Sequence, residues 1–154
     1  MAKKTYVLHK DGEYIKWRTS DENGAEKPCG ILIKWKRKGV KNVAVPYGVK
    51  VILKGCFQAS IGDVVLPSSV TEIQDFAFDI CNGKVHIPNS VAKIDKRAFG
   101  DLEERKRILQ KAYEEGFMKR ADYDIVQSVI ITMKNSTAHK FAKENKIPFE
   151  LIEN

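Results

Sequence analysis

Apolar and polar positions along this chain repeat on two scales. Val43-Ala44-Val45-Pro46, Val64-Val65-Leu66-Pro67 and Val85-His86-Ile87-Pro88 are three copies of one phrase, with their prolines 21 residues apart. The same step carries Val49 to Val70 to Val91, Ile52 to Ile73 to Ile94, and Phe57 to Phe78 to Phe99. A fixed period of this size marks a solenoid, in which each repeat is one coil stacked on the last. Within a copy the period is two, so the phrase predicts a short strand with alternate residues buried. Its middle residues, Ala44, Val65 and His86, then form a column facing outward. Proline has no N–H to give to a ladder and ends the strand. Ser68-Ser69 and Asn89-Ser90 supply the turn, after which Val70 and Ile73, and their counterparts, point inward again. Phe78 and Phe99 follow the small Ala77 and Ala98 at a tight corner. One phenylalanine per coil reads as a stacked core column rather than a ligand-binding box.

The flanks follow other patterns. Residues 5–18 predict two strands around Asp11-Gly12, a hairpin signal. Residues 19–30 are polar and turn-rich, hence a loop. A third strand follows, with Ile31, Ile33 and Trp35 on one face and Leu32, Lys34 and Lys36 on the other. This antiparallel segment is expected to cover the first coil, because an uncovered coil exposes strand edges and core. Beyond the repeats, Asp101 with Glu104 three residues on signals the start of a helix over 101–120. Leu102, Leu109, Ala112 and Tyr113 share its apolar face, with Ile108 at the border. Asp101–Arg105 and Glu103–Arg107 are i,i+4 pairs for a solvated opposite face. Ile131-Thr132-Met133 then matches Val85-His86-Ile87, 46 residues on rather than 21, so 25 residues are inserted before the last coil. On that alignment Thr132 completes the outward column. Ser136 caps a final helix to Asn145, and residues 149–152 close the end.

At Val64-Val65-Leu66-Pro67-Ser68-Ser69-Val70-Thr71-Glu72-Ile73, with Phe76-Ala77-Phe78 and Cys81, the chain resembles the BspA-type leucine-rich repeat family. Ile87-Pro88-Asn89-Ser90-Val91-Ala92-Lys93-Ile94 with Ala98-Phe99 is a second match. Residues 43–57 match less well, since Tyr47-Gly48 replaces the serine pair and Gly55-Cys56-Phe57 the alanine–phenylalanine corner. Residues 135–149 resemble the terminal unit that follows such repeats. The resemblance implies a binding surface, often on bacterial cell exteriors, and places Cys81 in the core. The chain departs from the family in its short repeat count, its lack of an export signal and its helical insertion. The expected fold is therefore α/β: a short right-handed leucine-rich-repeat solenoid with a parallel β ladder, an N-terminal antiparallel β cap and a helical insertion. It is read as a single domain over 1–154. The cap is 1–42, three 21-residue repeats fill 43–100, the insertion is 101–128, and the terminal repeat with its helix is 129–154.

Composition narrows the function. At 154 residues, 43% hydrophobic and 31% charged, this is the make-up of a soluble globular domain with a real core. No apolar run approaches the roughly 20 residues needed to cross a bilayer. The first ten residues lack the apolar h-region of a secretion signal, so a cytoplasmic location is expected. Cys29, Cys56 and Cys81 are odd in number and without a C-x-x-C pair, which argues for free thiols rather than disulfides or zinc. No phosphate loop, dinucleotide fingerprint, metalloprotease or nucleophile-elbow motif occurs. His9, His86 and His139 have no metal-binding spacing, and Cys81 with His86 lacks a third group to hold the base. Neither enzyme activity nor a metal or cofactor is expected.

The net charge of +7 is uneven. Residues 1–41 carry 11 basic and 5 acidic side chains, residues 42–100 carry 6 and 5, and residues 101–154 carry 10 and 10. Two candidate binding surfaces follow. One is the outward column of Ala44, Val65, His86 and Thr132, whose small, weakly charged side chains suit a protein partner. The other is the basic run Lys34, Trp35, Lys36, Arg37 and Lys38 with Lys41. Basic residues interleaved with an aromatic neutralise phosphates and stack bases, so nucleic acid or a nucleoprotein is the alternative partner. The same lysines also serve as edge protection, and the alternation explains Trp35 as cap core. The short array leaves self-association open.

Overall fold

The computed structural model describes residues 42–45, 47–58, 62–117 and 128–153 in full, and residues 4–8, 14–20 and 26–35 by their backbone. The chain runs through strands β1 (Lys4–Leu8), β2 (Tyr14–Ser20), β3 (Glu26–Trp35), β4 (Asn42–Ala44), β5 (Val49–Ile52), β6 (Asp63–Val65), β7 (Glu72–Ile73), β8 (Gly83–His86) and β9 (Lys93–Ile94). Helix α1 (Leu102–Glu114), strand β10 (Ser128–Met133), helix α2 (Thr137–Glu144) and strand β11 (Phe149–Ile152) follow.

Each of the first three coils contributes one strand to each of two sheets, so two parallel ladders form where the sequence pattern points to one. The last coil adds both β10 and β11 to the first of them. The phrase strands β4, β6 and β8, with β10 and the closing strand β11, build the sheet β11-β10-β8-β6-β4. The return segments β5, β7 and β9, preceded by β1, β2 and β3, build the second, β1-β2-β3-β5-β7-β9. There β1, β2 and β3 pair antiparallel, and β3 continues parallel onto β5. Serine is favoured in the turns for a physical reason. Ser69 Oγ donates to Val49 O at 2.9 Å and Ser90 Oγ to Val70 O at 2.7 Å, satisfying a carbonyl of the preceding coil.

Between the sheets lie the repeat columns. Val64, Val70, Ile73, Phe78 and Val85 are buried at 0–1% exposure. Phe57 stacks on Phe78 at 5.5 Å between centroids, Phe78 on Phe99 at 5.3 Å, and Phe99 meets Phe141 of α2 at 6.1 Å. The aromatic column therefore runs through the coils into the terminal helix. Each fully buried phenylalanine contributes about 1.5–3 kcal/mol by transfer alone. Ser136 Oγ accepts the N–H of His139 at 3.1 Å as the cap of α2, whose Ala138, His139, Phe141 and Ala142 are buried.

Two expectations are corrected. Thr132 does not face outward. Val85 is in register with Ile130 and His86 with Ile131, one residue off the alignment read from the sequence. Thr132 takes the inward place beyond Ile130, fully buried, and its hydroxyl donates to Ile87 O at 2.9 Å, with Ser136 Oγ also 2.9 Å away. Val129-Ile130-Ile131 is a continuous apolar run, so alternation cannot set its register.

The apolar face of α1 is not buried either. Asp101 Oδ1 caps the helix by accepting from Glu104 N at 3.1 Å, as the sequence signals. Yet α1 has no buried residue: Leu102, Leu109 and Ala112 are half-buried, Tyr113 is 41% exposed and Ile108 58%. Leu102 packs against the core cluster, and Arg105 pairs with Asp79 of the second coil. Arg107 pairs with Glu104, not with Glu103. Amphipathic spacing selects a face; how deeply it is buried depends on what the neighbouring coil offers. Residues 118–127 of the insertion lie outside the described residues. No described helix is long and apolar enough to cross a membrane.

Candidate partner-binding face

The strands β4, β6 and β8 pair in a register that places Ala44 beside Val65 and Val65 beside His86. Their neighbours Val43, Val64 and Val85 are buried, so these three point away from the core. Ala44 is exposed, Val65 is 45% exposed and His86 is half-buried. Beside this row runs a second one, Asn42, Asp63 and Lys84. Asn42 Oδ1 accepts from Asp63 N at 3.2 Å, and Asp63 Oδ1 accepts from Lys84 N at 2.8 Å. Asn42 and Asp63 thus each reach the backbone of the next coil and tie successive strands in register.

The row ends at an ion pair. Lys84 Nζ lies 3.4 Å from Glu150 Oε2, although β10 separates the strands that carry them. Lys84 is in register with Val129, and Glu150 with Ile131. The pair therefore crosses β10 on the outward side, between Val129 and Ile131. Ile131 occupies the outward position next to His86 but is only 4% exposed. The open part of the face is thus Ala44, Val65 and His86, bounded by Asp63 and by the Lys84–Glu150 pair. With side chains 47% and 56% exposed, that pair adds only a few tenths of a kcal/mol up to about 1.

The other sheet presents charges that satisfy one another. Lys93 lies 3.6 Å from Glu72 and 3.9 Å from Asp95, and Arg97 lies 3.4 Å from Asp75. Phe76 sits under Lys54 and Arg97, at 5.5 and 5.2 Å from its centroid. The phrase-strand sheet instead presents the exposed apolar Ala44 and Val65 beside half-buried His86, rimmed by polar groups.

The structure does not bring Cys81 and His86 together. Cys81 belongs to the core cluster, whereas His86 is on the outward side of β8, so the sheet lies between the two. Ser128 Oγ is used in donating to Cys81 O at 2.6 Å. Among the described residues no group of three or more His, Cys, Asp or Glu side chains is placed to hold a metal. Of the basic run, Lys34 and Trp35 are on β3, in register with Lys16 and Ile15. Their side chains, and Lys36, Arg37, Lys38 and Lys41, lie outside the described residues.

Sequence reasoning missed Lys84 and Glu150, 66 residues apart, because their meeting depends on β11 joining the sheet. It also missed the exposed lysines around α2. Their recurrence at 134, 140, 143 and 146 was the available signal.

A family model described as BspA type leucine rich repeat region (6 copies) matches residues 35–115. No curated protein and no solved structure matches the chain.

Proposed function

From the premise that this chain belongs to the BspA-type leucine-rich repeat family, whose model spans more than half of it, we propose that it is a non-catalytic binding module for a protein partner. Leucine-rich repeats generally mediate binding, typically between proteins. The partner is held on the outward row of Ala44, Val65 and His86. The observation that carries this reading is the register of β4, β6 and β8. It aligns one outward side chain per coil into a continuous strip, exposed at Ala44 and Val65 and half-buried at His86. A rigid row with an apolar centre and polar rim is the usual make-up of a protein interface.

A second reading rests on the charge surplus of residues 1–41, 11 basic against 5 acidic, and takes nucleic acid as the partner. One experiment separates them. The chain, its Val65→Lys/His86→Glu variant and its Lys34→Glu/Lys36→Glu/Lys38→Glu variant are used as baits at low and high salt. A protein captured at both salts and lost with the first variant supports the outward row. Nucleic acid captured only at low salt and lost with the second supports the basic segment. Capture unchanged by the first variant sinks the main reading.

A further inference from the structure

We propose that the end of the solenoid built by α2 and β11 is a peripheral docking surface for an anionic lipid bilayer. Two independent features meet there. The first is charge. Lys134, Lys140, Lys143 and Lys146 are all exposed, and none enters an ion pair among the described residues. Three acidic side chains lie between positions 134 and 153, Glu144, Glu150 and Glu153, and Glu150 is paired with Lys84. Cations elsewhere on the solenoid are often neutralised by a neighbour, as Lys93 is by Glu72 and Arg97 by Asp75. The second feature is apolar. On β11, Phe149 is 37% exposed, Leu151 43% and Ile152 50%. This strand is the last of its sheet, pairing with β10 on one side and with no other strand among the described residues.

The two features share one surface. His139 of α2 packs edge-on against Phe149 at 4.9 Å. Lys143 follows His139 by four residues, one turn further along nearly the same side of the helix. The helix then ends in a left-handed turn at Lys146, φ 55°, where Ile147 N donates to Ala142 O at 2.9 Å and leads straight into β11. Lysine ammoniums are thus set beside Phe149 and beside Leu151, which follows it on the same side of β11, while Ile152 protrudes on the strand's other side.

That combination matches the boundary of a bilayer. Anionic headgroups attract the lysines, whose aliphatic stems lie along the surface, while the apolar side chains enter the headgroup–acyl boundary. Other occupants fit less well. A duplex or single strand would leave Phe149 and Leu151 against sugar and phosphate, and the patch has no arginine. A second copy would bring four lysines against four. It would also meet a four-residue edge strand, far short of the roughly 800 Å² per partner of a stable interface.

The test is sedimentation of the full chain with vesicles of phosphatidylcholine alone or mixed with phosphatidylglycerol. Partitioning onto the anionic vesicles only, weakening steeply with salt, is expected. Lys140→Glu/Lys143→Glu should lower the partition coefficient at least about tenfold, and Leu151→Ser/Ile152→Ser should lower it while keeping its salt dependence. Lys50→Glu/Lys96→Glu makes the same change of net charge at two exposed lysines elsewhere and should retain binding. All these positions are exposed, and thermal unfolding of each variant checks that it folds. Equal losses from the two charge-reversal pairs would reduce the effect to net charge and overturn the proposal. So would a mobility shift of duplex RNA abolished by Lys140→Glu/Lys143→Glu without vesicle binding. Dimerisation in sedimentation velocity that Leu151→Ser/Ile152→Ser abolishes would assign the surface to a second copy instead.

Discussion

Arg105 of α1 forms an ion pair with Asp79, a carboxylate of the second coil that is only 9% exposed. Asp79 Oδ2 also accepts from Gln58 Nε2 at 3.1 Å, so the first coil, the second coil and the insertion meet at one side chain. The space comes from Gly100, with φ 103°. A Cβ there would collide with both Asp79 Oδ1 and Arg105 Nη2. Because α1 buries no residue of its own, this contact and Leu102 hold it to the solenoid.

Arg105→Ala is therefore expected to lower stability by about 1–3 kcal/mol, since it leaves a largely buried carboxylate without its cation. Hydrogen exchange should show the α1 amides losing protection before those of β6 and β8. Gly100→Ala should cost more than Arg105→Ala, because it adds left-handed backbone strain to the same lost pair. Equal thermal midpoints for the two variants would contradict this geometry.

The inward placement of Thr132 separates two registers of β10. Thr132→Lys should abolish the folded circular dichroism signal, because no outlet to solvent exists at a fully buried position. Thr132→Val keeps the shape, leaves Ile87 O and Ser136 Oγ without their partner, and should cost about 1–3 kcal/mol in denaturant unfolding. Unchanged stability in Thr132→Lys would restore the outward register.

Phe78 lies in the middle of the aromatic column, between Phe57 and Phe99. Phe78→Ala should lose about 3–5 kcal/mol, from transfer plus the cavity left behind. Phe141→Ala should lose less, since that ring is 7% exposed and lies at the end of the column, tilted 39° against Phe99. The comparison is made by urea midpoints at constant m-value.

Val65→Lys tests the outward row without touching the core. At 45% exposure its stability should stay within about 0.5 kcal/mol of the parent, while capture of the protein partner falls. Loss of binding together with loss of folding would point to a structural role for Val65.

Gly83 tests the stacking of the coils. Its φ is 137°, and a Cβ there would run into the carbonyl of Gly62, one coil earlier. Gly83→Ala should lower the thermal midpoint by several degrees, whereas Gly116→Ala, where nothing lies within 4 Å, should cost only the strain of its positive φ.

The sequence by itself determined the period, the buried columns and the caps of both helices. The 21-residue step places Val64 on Val85 and Phe57 on Phe78, because identical coils can only stack identical positions. Asp101 and Ser136 were legible as caps because a helix start is a local matter, decided within three residues. Tertiary structure decided whatever needed two distant segments to meet. Three successive apolar residues in β10 leave its register open until Ile130 is matched to Val85. Likewise the depth of α1 was set by Asp79, and the end of the outward row by Glu150 arriving on β11. Local periodicity says which way a side chain points; only the packed neighbours decide whether that direction leads to solvent.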